Sequence, residues 1–152
     1  MLIRFWALVI LVLTADQITK LIVVNRLVPG KPYPVLEGIL NLTYILNPGG
    51  AFGFLASLDL LLLAVTLLTV VAIIILHRSI IRSGMGLPVA FLLGGAIGNM
   101  VDRLRLGAVI DFIDLGFWPV FNVADIAIVV GITLLVYQVA GTRPGRAGEA
   151  DG

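Results

Sequence analysis

The sequence is organised around residues 107–125, GAVIDFIDLGFWPVFNVAD, which lie between two of the most apolar segments of the chain. This stretch carries three carboxylates: Asp111, Asp114 and Asp125. Ionisable groups at membrane depth are costly, so they tend to mark a functional site. Two carboxylates held together can share one proton and act as a general acid and base pair. We therefore interpret Asp111 and Asp125 as such a pair.

The composition is typical of a membrane protein. Of 152 residues, 60% are hydrophobic and 12% are charged, with a mean hydropathy of +1.13. Soluble domains are about 45–50% apolar and about 25% charged. A core this small cannot hide the excess, so a lipid bilayer is the expected solvent. The net charge of +1 gives no argument for a nucleic-acid partner.

Several chemistries are excluded by residue type. Cysteine is absent, which removes disulfides, thiolate metal sites and a cysteine nucleophile. A histidine metal cluster and a Ser-His-Asp triad would both have to rest on the single histidine, His77. None of the three serines lies in a G-x-S-x-G context. Any hydrolysis would therefore rest on aspartates, and we expect no metal and no organic cofactor.

Four segments are apolar and long enough to cross a bilayer. They are residues 5–24, 60–76, 87–105 and 121–140. Residues 25–58 between the first two contain prolines and glycines that disfavour a helix. The predicted fold is an all-α membrane protein with four transmembrane helices and a small extracytoplasmic β-rich insert. Residues 1–141 would form a single domain, with residues 142–152 as a disordered cytoplasmic tail.

Within the insert, residues 39–46, ILNLTYIL, are β-prone and partly alternate apolar with polar side chains. Residues 47–53, NPGGAFG, have the composition of a tight turn that returns to the membrane. Residues 77–86, which include Arg78 and Arg82, are predicted to form a polar connector between the second and third helices.

Two helical segments carry polar residues at i, i+3 and i+4, which places each set on one helix face. The sets are Asp16, Thr19 and Lys20, and Asn99, Asp102 and Arg103. Each set allows two interpretations. One is local ion pairing, between Asp16 and Lys20 and between Asp102 and Arg103; the other is a direct role in a site. Gly94 and Gly98 form a G-x-x-x-G that permits close helix packing in lipid.

The positive charges suggest an orientation. Five arginines fall on one side of the four-span arrangement: Arg4, Arg78, Arg82, Arg143 and Arg146. Four basic residues fall on the other, and one of them, Arg103, belongs to a polar motif. The positive-inside rule then places both termini in the cytoplasm and the clustered aspartates on the outer side.

Two other classes of protein remain open at this point. A small four-helix proton or ion relay would also place aspartates beside lysine and arginine. A relay, however, would more naturally distribute carboxylates across the depth of several spans, and residues 60–76 contain none. A passive anchor or assembly protein would leave the clustered aspartates unexplained.

Five blocks of the sequence resemble the bacterial lipoprotein signal peptidases, the signal peptidase II family. In order, they are DQITK at residues 16–20, NPGGAFGF at 47–54, GGAIGNMVDR at 94–103, GAVIDFID at 107–114 and FNVADIAI at 121–128. The blocks cover most of the chain outside its termini and the second helix. Single blocks of this kind are weak signals, but five in order on a four-span chain are specific.

The resemblance implies a membrane aspartyl endopeptidase with an outer-face β-cradle. Such enzymes remove signal peptides from prolipoproteins, cutting just before a cysteine that already carries a diacylglyceryl group. By motif, the catalytic residues are Asp111 and Asp125. The residues expected to bind substrate or support the site are Asp16, Lys20, Asn47, Asn99, Asp102, Arg103 and Asn122. We further expect a monomer in the bacterial inner membrane, with its active site at the extracytoplasmic face.

Overall fold

The computed structural model describes residues 1–48 and 56–141. Four helices are long and apolar enough to cross a membrane. Three short strands accompany them. In chain order the elements are α1 (Leu2–Arg26), β1 (Pro32–Leu36), β2 (Leu40–Asn47), α2 (Ala56–Arg82), α3 (Gly86–Leu106), β3 (Val109–Asp114) and α4 (Val123–Gly141). The predicted fold, four membrane helices with a small β-structure, is confirmed.

Helix α3 is the centre of the bundle, because it packs against each of the other three helices. Its glycines explain how the helices approach so closely. A Cβ on Gly94 would lie 2.7 Å from Val12 Cβ of α1, and one on Gly98 would lie 2.5 Å from Asp16 Oδ2. A Cβ on Gly95 would collide with the Ala124 carbonyl oxygen of α4. The predicted role of this glycine stripe, close packing in lipid, is thus fulfilled on two sides of α3.

The strands form one antiparallel sheet in the order β1-β2-β3. Its central strand, β2, is the strand predicted from residues 39–46, displaced by one residue. Strand β3 was not predicted, because its sequence VIDFID lacks strict alternation of polar and apolar residues. It pairs with β2 so that Asp111 lies opposite Ile45, with a register irregularity between Leu42 and Ile45. The sheet therefore brings the aspartate-rich segment beside the insert.

The prediction of a polar connector at residues 77–86 is wrong for most of that segment. Helix α2 continues through His77 to Arg82, and only residues 83–85 form the turn to α3. The His77 ring lies 5.5 Å from that of Trp6. Arginine has a high helix propensity, and its long side chain can carry the charge into water while the backbone remains helical. The polar residues therefore did not end the helix. The predicted turn at residues 47–53 and the predicted tail at 142–152 extend outside the described residues.

Candidate active site

Asp111 and Asp125 are presented by two adjoining elements. Asp111 lies in the middle of β3 and is 3% exposed. Asp125 lies in the first turn of α4. The Asn122 side chain accepts a hydrogen bond from the Asp125 backbone N–H at 2.9 Å, and Asp125 Oδ2 accepts one from the Asn122 N–H at 3.1 Å. This reciprocal cap starts α4 and holds the Asp125 carboxylate at the helix N-terminus.

All four oxygens of the two carboxylates accept hydrogen bonds. Asp111 Oδ1 accepts from Asn122 Nδ2 at 2.7 Å, and Asp111 Oδ2 accepts from Asn47 Nδ2 at 2.8 Å. Asp125 Oδ1 accepts from Asn99 Nδ2 at 2.8 Å, while Oδ2 is bound by the cap. Asn122 thus contacts both aspartates with a single side chain. The structure brings together the five residues that carry this chemistry, which come from four separate segments of the chain.

Behind the dyad lies a buried charge cluster made by Lys20, Asp16 and Asp102. Lys20 Nζ lies 2.9 Å from Asp16 Oδ2 and 2.7 Å from Asp102 Oδ2, and all three side chains are buried. Lys20 also donates a hydrogen bond to Asn99 Oδ1 at 3.0 Å. An ammonium group can only donate, so Asn99 must present its oxygen to Lys20 and its NH₂ to Asp125. Asn122 Nδ2 also donates to Asn99 Oδ1, at 3.1 Å. Lys20 and Asn122 therefore determine together which way the Asn99 amide faces the dyad.

The same cluster ties the elements of the site together through backbone groups. Asp16 Oδ1 accepts a hydrogen bond from the Ala124 N–H at the start of α4, at 2.9 Å. Asp102 Oδ2 accepts one from the Ile110 N–H of β3, at 3.2 Å. Gln17 donates to both carboxylates at 3.1 Å. Gln17 was not among the candidate residues, and its place between two aspartates that are distant in sequence could not be inferred from spacing.

The sequence left two interpretations for each polar helix face, and the structure resolves part of this choice. Asp16 and Lys20 do form an ion pair, but it also contacts the amide that holds Asp125. The alternative pairing of Asp102 with Arg103 is wrong, because Asp102 pairs with Lys20 from α1. Among the described residues, Thr19 donates hydrogen bonds only to backbone carbonyls of its own helix. Arg103 directly follows Asp102, and adjacent residues of a helix do not face each other, whereas Lys20 faces Asp102 from α1.

Asp111 and Asp114 have opposite environments on the same strand. Burial raises the pKa of Asp111 to about 6, and the nearby negative charge of Asp125 adds to the increase against the hydrogen bonds from Asn47 and Asn122. Asp114 Oδ2 accepts a hydrogen bond from Thr43 Oγ1 at 2.7 Å, and its Oδ1 accepts one from the Gly116 N–H at 2.9 Å. These two bonds lower the pKa of Asp114. Asp114 therefore stabilises the sheet and the following turn, away from the two amides that hold the dyad.

Arg103 is the remaining candidate, and no hydrogen bond or ion pair among the described residues joins it to the dyad network. Its Nε is buried and has no hydrogen-bond partner among the described residues. The described residues also contain no group of three or more His, Cys, Asp or Glu side chains that could hold a metal ion.

An open apolar cleft of about 360 Å³ begins at Asp125. It lies between the β3–α4 connection and the outer face of α4. Among the described residues that line it, Asp125 is the only charged one, and the others are apolar or aromatic: Leu115, Phe117, Trp118, Phe121, Ile126, Val129 and Val130. Asp125 is therefore accessible from the side of the bundle.

The interpretation as a proton or ion relay is not favoured. Four aspartates, Asp16, Asp102, Asp111 and Asp125, belong to a single hydrogen-bonded network at one end of the bundle. They are not distributed along a path across the membrane.

Comparison with known proteins agrees with this geometry. The sequence model of a family described as signal peptidase (SPase) II matches residues 8–140. The lipoprotein signal peptidase of Moorella thermoacetica is 43% identical over 137 residues, which are 89% of this chain and 91% of the relative. That of Caldanaerobacter subterraneus subsp. tengcongensis is 44% identical over 134 residues, which are 86% and 91% of the two chains.

Solved structures show the same likeness. Two structures described as bacterial membrane enzymes superimpose with TM-scores of 0.81 and 0.84 at 26% and 27% identity. They cover 97% and 92% of this chain, and in each case 94% of the solved chain. The match to the family model and the identity to these relatives show that the chain belongs to the signal peptidase II family of aspartic peptidases.

Proposed function

We propose that this protein hydrolyses the peptide bond that precedes a diacylglyceryl-modified cysteine in prolipoproteins, and so releases their signal peptides. The observation that carries the proposal is the pair Asp111 and Asp125, held by one asparagine at the mouth of an apolar cleft. Relatives named lipoprotein signal peptidase support the substrate class. The enzyme acts as a monomer in the inner membrane.

The two carboxylates differ in a way that assigns their roles. Burial raises the pKa of Asp111 to about 6, which favours its protonated form. Asp125 lies at the N-terminus of α4 and accepts a backbone N–H, and both features stabilise a negative charge. We therefore assign the shared proton to Asp111 and the negative charge to Asp125.

Hydrolysis then follows with balanced proton transfers. Asp125 accepts a proton from a water molecule whose oxygen attacks the scissile carbonyl carbon. Asp111 donates a hydrogen bond, and then its proton, to the carbonyl oxygen as the tetrahedral intermediate forms. The proton held by Asp125 passes to the leaving nitrogen as the C–N bond breaks, and Asp111 recovers its own proton. Asn99 and Asn122 keep the carboxylates oriented throughout.

The direct test uses the purified protein in lipid vesicles with a diacylglyceryl-modified prolipoprotein. Mass spectrometry should find a shortened protein that begins with the lipidated cysteine, and none with Asp111→Asn. Activity should survive chelators, because the chain has one histidine and no cysteine to bind a catalytic metal. No product from folded wild type, or loss on chelation that a specific ion restores, would contradict the proposal.

The orientation in the membrane has its own test. Arg4 and Arg82 lie at the end of the bundle opposite the dyad, since residues 4, 81, 84 and 86 line a common cavity there. The positive-inside rule then makes the dyad end extracytoplasmic. Reporter fusions after Lys31 and after Arg82 should report opposite sides of the membrane. Equal signals from the two positions would refute the four-span topology.

A further inference from the structure

We propose that a cavity at the end of the bundle opposite the dyad binds an anionic phospholipid. This basal cavity lies between α1 and the turn from α2 to α3, and its volume is about 210 Å³. Its lining consists of one arginine with apolar and glycine residues: Met1, Arg4, Phe5, Leu8, Ile81, Gly84, Gly86, Leu87 and Ala90. The inference does not depend on the proposed reaction, because none of these residues belongs to the dyad network.

The walls of the basal cavity suit an acyl chain. Phe5 and Ala90 are 4% and 0% exposed, and they belong to a buried apolar cluster against which Leu8 and Ile81 pack. Leu87 is 53% exposed, so the apolar surface continues from the cavity to the outside of the bundle. An apolar cavity of about 150 Å³ is already sufficient to bind benzene. The basal cavity is larger and can therefore hold the first methylene groups of an acyl chain.

Arg4 adds a positive charge to the same cavity. Among the described residues, its guanidinium makes no ion pair and no hydrogen bond. A guanidinium binds phosphate oxygens through paired N–H groups, so arginine is well suited to hold a phosphodiester. Helix α3 begins at Gly86 on the cavity wall, with no side-chain cap and no acidic residue in its first turn. The partial positive charge of this helix end acts in the same direction as Arg4.

The surroundings of the basal cavity are also positive. Arg78 and Arg82 are exposed near the end of α2, and Arg82 directly follows Ile81 of the cavity wall. Residues 1–15, 61–101 and 126–141 contain no aspartate or glutamate. The three arginines at this end therefore create a field that attracts an anion. The positive-inside rule accounts for their presence, but it does not require one of them to line a cavity.

Charge complementarity decides between an anionic phospholipid and the other occupants of such a cavity. A second copy that docked through the same surface would place its own arginines against these. Residues 142–152 contain two arginines and two acidic residues, so this segment has no net negative charge to offer. A zwitterionic phospholipid would bring its ammonium group towards Arg4. An anionic phospholipid supplies both a net negative charge and an acyl chain, and under the proposed topology it comes from the cytoplasmic leaflet.

The experiment measures the affinity of the first bound lipid by native mass spectrometry of the purified, delipidated protein. Phosphatidylglycerol should bind at least about tenfold more tightly than phosphatidylcholine with the same acyl chains, because its headgroup keeps a net negative charge. Arg4→Gln should reduce this preference to about twofold or less. The matched control is Arg78→Gln, which removes a charge from the same end but does not line the cavity. It should keep the affinity for phosphatidylglycerol within about twofold of wild type.

Two further variants test the chemistry of the site. Arg4→Lys keeps the charge and should retain most of the preference for phosphatidylglycerol. Gly86→Leu narrows the cavity and leaves Arg4 in place. A Cβ on Gly86 would lie 3.4 Å from Ile81 Cγ1, so the backbone can accept the new side chain. This variant should weaken the binding of phosphatidylglycerol at least about fivefold, because the acyl chain loses its place. Circular dichroism checks that each variant is folded.

Four results would overturn the proposal. Equal losses from Arg4→Gln and Arg78→Gln would show a general attraction to the basic end of the bundle. No loss from Gly86→Leu would show that no acyl chain enters the cavity. Competition by glycerol 3-phosphate at the same concentration as the lipid would show a site for a soluble phosphate. Tighter binding after combined Glu149→Gln and Asp151→Asn would show that residues 142–152 occupy the cavity.

Discussion

The second and third helices of this protein meet the membrane in opposite ways. The span Leu63–Arg82 of α2 has a mean hydropathy of 2.2, yet only 6% of it is buried inside the protein. Helix α3 has a mean hydropathy of 1.2, and half of it is buried. In water the more apolar helix would be expected inside. In a bilayer, an apolar side chain is solvated equally well by lipid and by a neighbouring helix. The interior is therefore occupied mainly by small and polar residues.

The interior of the bundle is accordingly built from groups that lipid cannot solvate. Glycines let the backbone of α3 approach α1 and α4, and the Asp16 carboxylate occupies the space beside Gly98. Lys20 binds Asp102 and the amide of Asn99 in the same interior. Four predictions test this contrast between a functional interior and a passive lipid-facing surface.

The largest effect is expected at the dyad. Asp111→Asn and Asp125→Asn should each reduce cleavage by about 10²–10⁴-fold or more, because asparagine cannot exchange the proton that the mechanism needs. The double variant should be no worse than either single one, since neither carboxylate works alone. Asp114→Asn should keep most of the activity, because Asp114 binds Thr43 and Gly116 instead of the dyad amides. An inactive Asp114→Asn beside an active Asp111→Asn would overturn the assignment of the pair.

The next effect concerns the buried cation. Lys20→Met leaves two buried carboxylates without their counter-ion, which should lower the free energy of unfolding by about 3–5 kcal/mol. Lys31→Met is the matched control, because Lys31 is exposed and lies 5.4 Å from the centre of the Tyr33 ring without an ion pair among the described residues. Its unfolding free energy should change by less than about 1 kcal/mol. Unfolding in mixed detergent, followed by circular dichroism, measures both.

Adding Asp16→Asn and Asp102→Asn to Lys20→Met should restore part of the stability, because it removes the uncompensated charges. Activity should stay below that of wild type, since Asn99 Oδ1 loses the hydrogen bond from Lys20 and keeps only the one from Asn122 Nδ2. Equal stability of Lys20→Met and wild type would contradict the role of this cluster in holding the bundle together.

A smaller effect is expected from helix packing. Gly95→Ala places a methyl group against the Ala124 carbonyl oxygen and within 2.9 Å of Ile128 Cγ1, which should cost about 1–3 kcal/mol of unfolding free energy. Val71→Leu enlarges a side chain of α2 that is 44% exposed, and it should change stability by no more than about 0.5 kcal/mol. Comparable losses from the two variants would show that α2 is packed as tightly as α3, and the contrast between the helices would fail.

The smallest expected effect is a shift in pH dependence. Asp111 must keep its proton, so kcat/KM of the free enzyme should fall as the pH rises through about 6, the raised pKa of this carboxyl group. Asn47 donates a hydrogen bond that lowers this pKa, so Asn47→Ala should move the alkaline limb to higher pH.

Thr43→Val is the control for this shift, because it removes a hydrogen bond from Asp114 and leaves Asp111 unchanged. Its alkaline limb should coincide with that of wild type. A shift of the Asn47→Ala limb to lower pH would contradict the assignment of the proton to Asp111. The same raised pKa has a consequence for folding: the folded state binds the proton more tightly than the unfolded chain, so stability falls as the pH rises from about 4 to about 6.

The difference between prediction and structure is clearest where polar residues meet across elements. The spacing of Asp16 and Lys20 correctly predicted one helix face, because i, i+4 neighbours are fixed by local geometry. The expected pairing of Asp102 with Arg103 is wrong, because i, i+1 neighbours do not face each other on a helix. The glycines of α3 pack against α1 and α4, so they determine which face of the helix lies in the interior of the bundle. In this rotation of α3, Asp102 contacts Lys20. Strand β3 was missed for a related reason, since its pairing with β2 is a long-range contact.

The sequence alone determined the four membrane spans and the residue types available for catalysis. Both depend on local properties: the length of an apolar run relative to bilayer thickness, and the presence or absence of histidine, cysteine and aspartate. Only the tertiary structure decided how Asp111, Asp125 and their amides share hydrogen bonds, and that a lysine of α1 orients an asparagine of α3. The bonds from Asn122 to Asp111, from Asn99 to Asp125 and from Lys20 to Asn99 join residues 11, 26 and 79 positions apart. Their geometry depends on helix rotation and strand register, which no local pattern encodes.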